Sequence, residues 1–285
     1  MRSMLFVPGN RPELVAKATA SGADALIFDL EDAVPEAAKA EARAHLATLG
    51  PPGLPLYVRV NGAETPHLWD DVAAAAAAGA AGIVLPKAED PSVVARIDGA
   101  LTVSEIAAGT ERGATALLPL IESALGVLRT RELCAATPRI RAVLFGSGEE
   151  GDLVADLGCE WTPEGTGLLT ARGQVVLGAR AAGVADPMDA VYMDLENVEG
   201  LRTECELARR CGYVGKVAIH PRQVAVINDV FTPPPEVVAK HRRIVKKFEE
   251  AVEAGSASIA VDGRMVDYAV ARVSRAALTR AGEDV

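Results

Sequence analysis

Aromatic side chains are scarce: Phe, Trp and Tyr make up 4% of the 285 residues, although 49% are hydrophobic. The core is therefore left to alanine, valine, leucine and glycine, which suit helices packed on a parallel sheet. Cysteine is scarce too. Cys134, Cys159, Cys205 and Cys211 form no CxxC pair, and no histidine stands at zinc spacing from them. This argues against a disulfide framework or a structural zinc, and the expectation is a reduced, cytoplasmic protein. Long apolar runs are missing as well. Met4–Val7 ends at Pro8-Gly9, too short for a signal sequence and far too short to span a bilayer. Positive charge is the last shortage, with a net charge of -10 and a pI near 5.0. Nucleic acid and membranes are thus not expected as partners, and an anionic substrate needs a local cation.

What the chain does have is a rhythm. Short apolar runs alternate with alanine-rich helical stretches at a period of roughly thirty residues, the size of a βα unit. The runs predict strands over Ser3–Val7, Ala25–Leu30, Leu56–Val60, Gly82–Pro86, Ala116–Ile121, Ala142–Phe145, Ala190–Met193 and Lys216–Ile219. Helices are predicted near 12–21, 36–48, 66–78, 91–108, 123–134, 163–182, 199–211 and 221–230. Eight strands, each followed by a helix, define an α/β protein of the (β/α)8 TIM-barrel class over residues 1–231. A doubly wound nucleotide-binding sheet is disfavoured, because Gly9-Asn10-Arg11-Pro12 does not supply GxGxxG. At Thr232-Pro-Pro-Pro235 the pattern breaks into an extended connector. Residues 232–285 then form a C-terminal helical extension, with a helix from Val237 to Ala254 and a tail over Ser258–Val261 and Gly263–Arg280. Its expected use is a lid or an arm on a neighbouring subunit.

In such a barrel the C-terminal ends of the strands open into one mouth. They carry Asp29, Glu31 and Asp32 after strand two, Arg59 and Asn61 after three, Lys87 after four and Glu122 after five. Asp152 follows strand six, Asp194 and Glu196 follow seven, and His220 follows eight. Glu122 and Asp152 are hard oxygen donors with room left for waters and a chelating substrate, which suits Mg2+. Alone, each reads better in the ordinary way, Glu122 as a cap for the following helix and Asp152 as a solvated loop acid. Arg59 lies within Leu-Tyr-Val-Arg-Val, and a charge flanked by apolar residues has to face a partner. That partner is a carboxylate of Asp29-Leu-Glu-Asp32 or an anionic substrate. One cation among several acids suits a small dicarboxylate or keto acid held between metal and guanidinium. A Schiff-base role for Lys87 is disfavoured, because neighbouring acids hold its pKa up. His220 reads as the start of the last helix, with Pro221 in its first turn.

Eight segments carry a resemblance. They are Arg2-Ser-Met-Leu-Phe-Val-Pro-Gly9, Phe28-Asp-Leu-Glu-Asp-Ala-Val34, Tyr57-Val-Arg-Val-Asn61, Leu85-Pro-Lys87, Leu120-Ile-Glu-Ser123, Asp152-Leu-Val-Ala-Asp-Leu-Gly158, Gly215-Lys-Val-Ala-Ile-His-Pro221 and Asp262-Gly-Arg-Met-Val-Asp267. In this order they resemble the citrate lyase beta subunit-like family, the group that includes malyl-CoA and citramalyl-CoA lyases. The resemblance implies a (β/α)8 barrel, a homotrimer or hexamer, and Mg2+-dependent cleavage of a citryl-, malyl- or citramalyl-thioester. The products would be an acetyl thioester and a keto acid such as oxaloacetate, glyoxylate or pyruvate, with CoA or an acyl carrier as the thiol partner. It also implies that Glu122 and Asp152 bind Mg2+, Arg59 contacts the substrate carboxylate or carbonyl, and Glu31 and Asp32 support the metal's water shell and Arg59. Asp262 would reach over a neighbouring subunit's mouth and take part in the chemistry. Two departures stand out: Gly146–Asp152 is longer than the family pattern, and Asn197 replaces an expected aspartate. A malyl-CoA thioesterase on the same scaffold, a lyase subunit acting on a carrier-borne acyl group, and a non-catalytic metabolite-binding barrel are the alternatives.

Overall fold

The computed structural model describes residues 1–50 and 52–283, so the last two residues of the expected extension lie outside it. Two compact units emerge, Met1–Phe231 and the residues from Thr232 onward. In the first unit, β1 (Ser3–Pro8), β2 (Ala25–Asp29), β3 (Leu56–Arg59), β4 (Gly82–Leu85), β5 (Ala116–Ile121), β6 (Ala142–Phe145), β7 (Asp186–Asp189) and β8 (Gly215–Ala218) pair in chain order. Every pairing is parallel, and β8 closes on β1 with Ser3 opposite Lys216 and Leu5 opposite Ala218. The helices between them are α1 (Leu14–Thr19), α2 (Lys39–Thr48), α3 (Leu68–Ala77), α4 (Pro91–Ala108), α5 (Ala124–Leu128), α6 (Thr130–Ala135), α7 (Asp152–Leu157), α8 (Leu169–Ala181), α9 (Val198–Cys211) and α10 (Pro221–Phe231). This is the closed (β/α)8 barrel that the βα rhythm predicts.

Two shells of core follow from the alternation of side chains along each strand. Met4, Ala25, Ile27, Val84, Leu118, Leu120, Leu144, Met188 and Val217 face inward and fill the barrel. Their neighbours Leu5, Leu26, Phe28, Ile83, Leu117, Val143 and Ala218 face outward into the helix layer. Each fully buried Leu, Ile or Phe contributes about 1.5–3 kcal/mol, so both shells are needed to hold the strands closed. The caps are readable in the same way. Helix α4 begins with Asp90, whose side chain accepts the Ser92 N–H at 2.8 Å, has Pro91 at its first position and ends on Gly109 at φ +68.

One strand differs from expectation. The apolar run Ala190–Met193 is not β7; the strand is the preceding Asp186–Asp189, and the run belongs to the loop beyond it. Asp189 of β7 and Lys216 of β8 point outward, fully buried, and their side chains meet at 2.6 Å. Arg172 of α8 and Glu204 of α9 complete this cluster, 3.0 Å from Asp189 and 2.9 Å from Lys216 respectively. Ion pairing, not apolar burial, is what seats β7 against the helices.

The second unit consists of α11 (Pro235–Glu253), the antiparallel pair β9 (Ile259–Val261) and β10 (Arg264–Val266), and α12 (Tyr268–Arg280). Asp262 and Gly263 join the strands at φ +49 and +75, the two-residue turn with both central residues left-handed. Ile244, Phe248, Val261, Val266 and Ala271 form its own small core. Among the described residues no helix is long and apolar enough to cross a membrane.

Candidate active site

Alternation also decides what reaches the mouth. Ala25, Ile27 and Asp29 share one side of β2, Tyr57 and Arg59 one side of β3, and Leu118, Leu120 and Glu122 one side of β5. Since Ile27, Tyr57 and Leu120 line the interior, the same phase carries Asp29, Arg59 and Glu122 to its upper end. Strand register then places Asp29 beside Arg59. The guanidinium donates from Nε and Nη2 to the two oxygens of Asp29, both at 2.7 Å, a bidentate pair. Asp29 also accepts the N–H groups of Glu31 and Ala33 at 3.0 and 3.2 Å, which folds the loop around it. Lys39 Nζ and Asn61 Nδ2 fasten that loop from outside by donating to the Leu30 carbonyl at 3.1 and 2.9 Å. Beneath the guanidinium lies the Phe6 ring, 4.7 Å away.

The free corner of Arg59 faces two more acids. Its Nη1 lies 2.8 Å from Glu31 Oε2 and 3.6 Å from Asp32 Oδ2. The first approach has ion-pair distance but poor alignment, and the buried Glu31 Oε2 makes no hydrogen bond. Burial accordingly pushes the Glu31 carboxyl up to about 8: Arg59 opposes the shift, but Asp32, Glu122 and Asp29 add to it. Burial also disfavours the charge on Arg59, yet the hydrogen bond to Asp29 and the surrounding acids outweigh it and raise its pKa.

Across the mouth, Glu122 Oε1 accepts the backbone N–H of Lys87 at 2.7 Å. Gly146, at the end of β6, gives Glu122 its room, because a Cβ there would stand 2.7 Å from the Glu122 Cβ. Burial drives Glu122 up to about 7; the Lys87 N–H and Arg59 oppose this, while Asp152 adds repulsion. Asp152 opens α7 and lies 3.2 Å from Lys87 Nζ. Burial works against the Lys87 ammonium, but Asp152, Glu31 and Glu122 prevail and raise its pKa, the opposite of what an imine-forming lysine needs. In the same helix, Asp156 accepts the Ala124 N–H at 2.6 Å and so ties α7 to the start of α5.

The structure thus brings Glu31, Asp32, Arg59, Lys87, Glu122 and Asp152 into one connected constellation. Asp262 belongs to the second unit, exposed at the hairpin turn and 3.2 Å from Arg243. Asp194 is an exposed loop acid whose side chain accepts the N–H groups of Glu196 and Asn197, and Asn197 caps α9 by accepting the Gly200 N–H at 2.8 Å. His220 accepts the Arg222 N–H through Nδ1 at 3.2 Å, a capping role. Sequence reasoning missed α7, the Gly146 clearance and the Lys87 N–H, since backbone donors and absent side chains leave no chemical signature. Among the described residues no three His, Cys, Asp or Glu side chains form a ready metal cage. A pair of carboxylates leaves the other positions to water and ligand oxygens, the manner in which Mg2+ is commonly held.

A closed parallel barrel with acids and a guanidinium at its strand ends has the architecture in which active sites sit at that end. The chain belongs to the HpcH/HpaI aldolase/citrate lyase family, whose model matches residues 2–221. It is 36% identical over 273 residues to citrate lyase subunit beta of Leuconostoc mesenteroides, covering 94% of this chain and 89% of that one. To the (3S)-malyl-CoA thioesterase of Cereibacter sphaeroides it is 35% identical over 284 residues, covering 98% and 94%. Among solved structures it is similar to CitE from Mycobacterium tuberculosis in complex with magnesium, acetoacetate and coenzyme A, with a TM-score of 0.78 and 32% identity, covering 99% of this chain and 98% of that one.

Proposed function

We propose that this barrel is a Mg2+-dependent carbon–carbon lyase of the citrate lyase beta subunit type. Its substrate is a citryl-, malyl- or citramalyl-thioester on CoA or an acyl carrier, cleaved to an acetyl thioester and oxaloacetate, glyoxylate or pyruvate. The reading rests on one observation: Glu122 and Asp152 face the same mouth as an Arg59 already braced by Asp29. Their surroundings fit a cation. Glu122 is repelled by Asp152, and Glu31 keeps a buried oxygen without a hydrogen bond. Glu122 and Asp152 would hold the ion, with Glu31 and Asp32 supporting its water shell and Arg59. When bound, Mg2+ supplies Lewis-acid polarisation of the substrate's hydroxyl and carboxylate oxygens.

The chain's own residues do the rest. Bidentate bonding to Asp29 fixes the plane of Arg59, and its Nη1 corner, which faces Glu31 and Asp32, is the part left to meet the substrate carboxylate or the thioester oxygen. An ionised carboxylate of the mouth accepts the hydroxyl proton. The bond to the thioester α-carbon then breaks; its electron pair passes to the thioester carbonyl as an enolate, and the former hydroxyl carbon becomes the keto carbon. In a homotrimer or hexamer, Asp262 of a neighbouring subunit takes part in passing a proton from solvent to the enolate carbon. The relatives that are malyl-CoA thioesterases favour a second reading, in which the substrate binds in the same way and Asp262 promotes hydrolysis.

The test separates acetyl-CoA from free CoA after incubation with malyl-CoA and citramalyl-CoA, with and without Mg2+. Acetyl-CoA plus keto acid marks a lyase, and free CoA plus hydroxy acid marks a thioesterase. Equal turnover by Glu122→Ala and the unaltered enzyme at saturating substrate would sink the proposal. Bound Mg2+ with no turnover of any acyl thioester would point instead to a metabolite-binding barrel.

A further inference from the structure

Lys87 lies in the turn just beyond β4 in a left-handed backbone conformation, φ +47, which it shares with only Glu150 and Asp262 among the described non-glycine residues. A side chain with a Cβ gains nothing locally from that conformation, so its surroundings must hold it there. They do so on both sides. The Lys87 N–H donates to Glu122 Oε1 at 2.7 Å, and the next N–H, that of Ala88, donates to the Leu120 carbonyl at 3.2 Å. This bend sends the side chain across the mouth, where Nζ lies 3.2 Å from Asp152 Oδ2. One residue therefore touches both carboxylates of the proposed cation pair, one through its main chain and the other through its ammonium. Arg59, the other cation of the mouth, is already bonded twice to Asp29.

We propose that Lys87 is the exchangeable counter-ion of this carboxylate pair. Its ammonium neutralises Asp152 while no divalent cation is bound and is displaced when one binds, and its main-chain N–H keeps Glu122 aimed throughout. The proposal rests on the cation reading above. A side chain about two-fifths exposed, as Lys87 is, can make this exchange without unfolding anything around it. Two positive charges cannot both occupy the Asp152 side without repelling each other.

Isothermal titration calorimetry of Mg2+ into the full-length chain tests it. Lys87→Met keeps the N–H and most of the stem but removes the competitor, so Mg2+ should bind on the order of two- to fivefold more tightly, the equivalent of one partly exposed ion pair. Lys87→Arg, which retains the charge, should stay near the unaltered value. A second measurement needs no variant: acetylation by acetic anhydride, read by mass spectrometry, should increase at Lys87 when Mg2+ is added and stay constant at the exposed Lys17 and Lys246. Equal or weaker Mg2+ binding by Lys87→Met, or labelling of Lys87 that Mg2+ does not raise, overturns the exchange and leaves the cation site standing. Failure of the unaltered chain and of Lys87→Met alike to bind Mg2+ overturns the site itself.

Discussion

At the scale of single residues, the mouth is set as much by what is missing as by what is present. Gly146 is the clearest case. It directly follows β6 in phase with Leu144, hence on the side facing Glu122 just past the end of β5, and an added Cβ would meet the Glu122 Cβ at 2.7 Å and the Ile121 carbonyl at 3.3 Å. Because the Glu122 Cβ moves only with its main chain, the end of β5 has to shift, and the carboxylate with it, for the methyl group to fit. Gly146→Ala should therefore lower kcat/KM by on the order of a hundredfold, as for a catalytic group displaced by about 1 Å, while the circular dichroism spectrum stays unchanged. An unchanged kcat/KM would show that the carboxylate tolerates the shift. The acids and Arg59 were legible in the sequence because a charge beside an apolar run demands an explanation. Gly146 and the Lys87 N–H were not, since neither has a side-chain group to notice.

Elements were legible wherever burial was apolar. Seven of the eight strands fall within about two residues of their predicted ends, the usual uncertainty of a boundary. The seventh does not, because Asp186-Pro-Met-Asp189 carries two acids and a proline and reads as a turn, whereas the following Ala-Val-Tyr-Met reads as a strand. Its outward Asp189 is satisfied by Lys216 and Arg172, partners that lie distant in sequence. The same kind of tie holds α4 at the opposite end of the barrel. Glu105, 4% exposed, is bonded through both oxygens to Arg139, at 2.6 and 2.7 Å, and accepts the N–H groups of Gly113 and Thr115. The hydrogen bond from Arg139 and those N–H groups hold its carboxyl down at about 2 against the opposing effect of burial. A depressed carboxylate pKa stabilises the fold above its unfolded value near 4.5, and that contribution is lost as pH falls through the folded value. Between about pH 4.5 and 2, urea midpoints of the unaltered chain should fall more steeply than those of Glu105→Gln. At neutral pH the variant should be less stable by on the order of 3 kcal/mol, because Arg139 loses its principal partner. Parallel curves would show that Glu105 carries no such linkage.

At the scale of the whole molecule, the proposed closing acid, Asp262, comes from a neighbouring subunit. The second unit holds Asp262 at the tip of a two-residue turn, and Pro233 and Pro234 begin that unit with a stiff connector before Pro235 opens α11. If each site takes Glu122 from one chain and Asp262 from another, Glu122→Ala and Asp262→Ala are each inactive alone, yet some sites in a mixed oligomer contain neither change. Co-expression of the two variants should then restore roughly a quarter of the unaltered activity in a randomly mixed closed ring, since each site needs two particular subunits. Sites built within one chain would give no recovery at any mixing ratio, because every chain carries one of the two defects. Size-exclusion chromatography completes the test: recovered activity must elute with the oligomer, and unaltered chain that is fully active as a monomer would rule out a shared site.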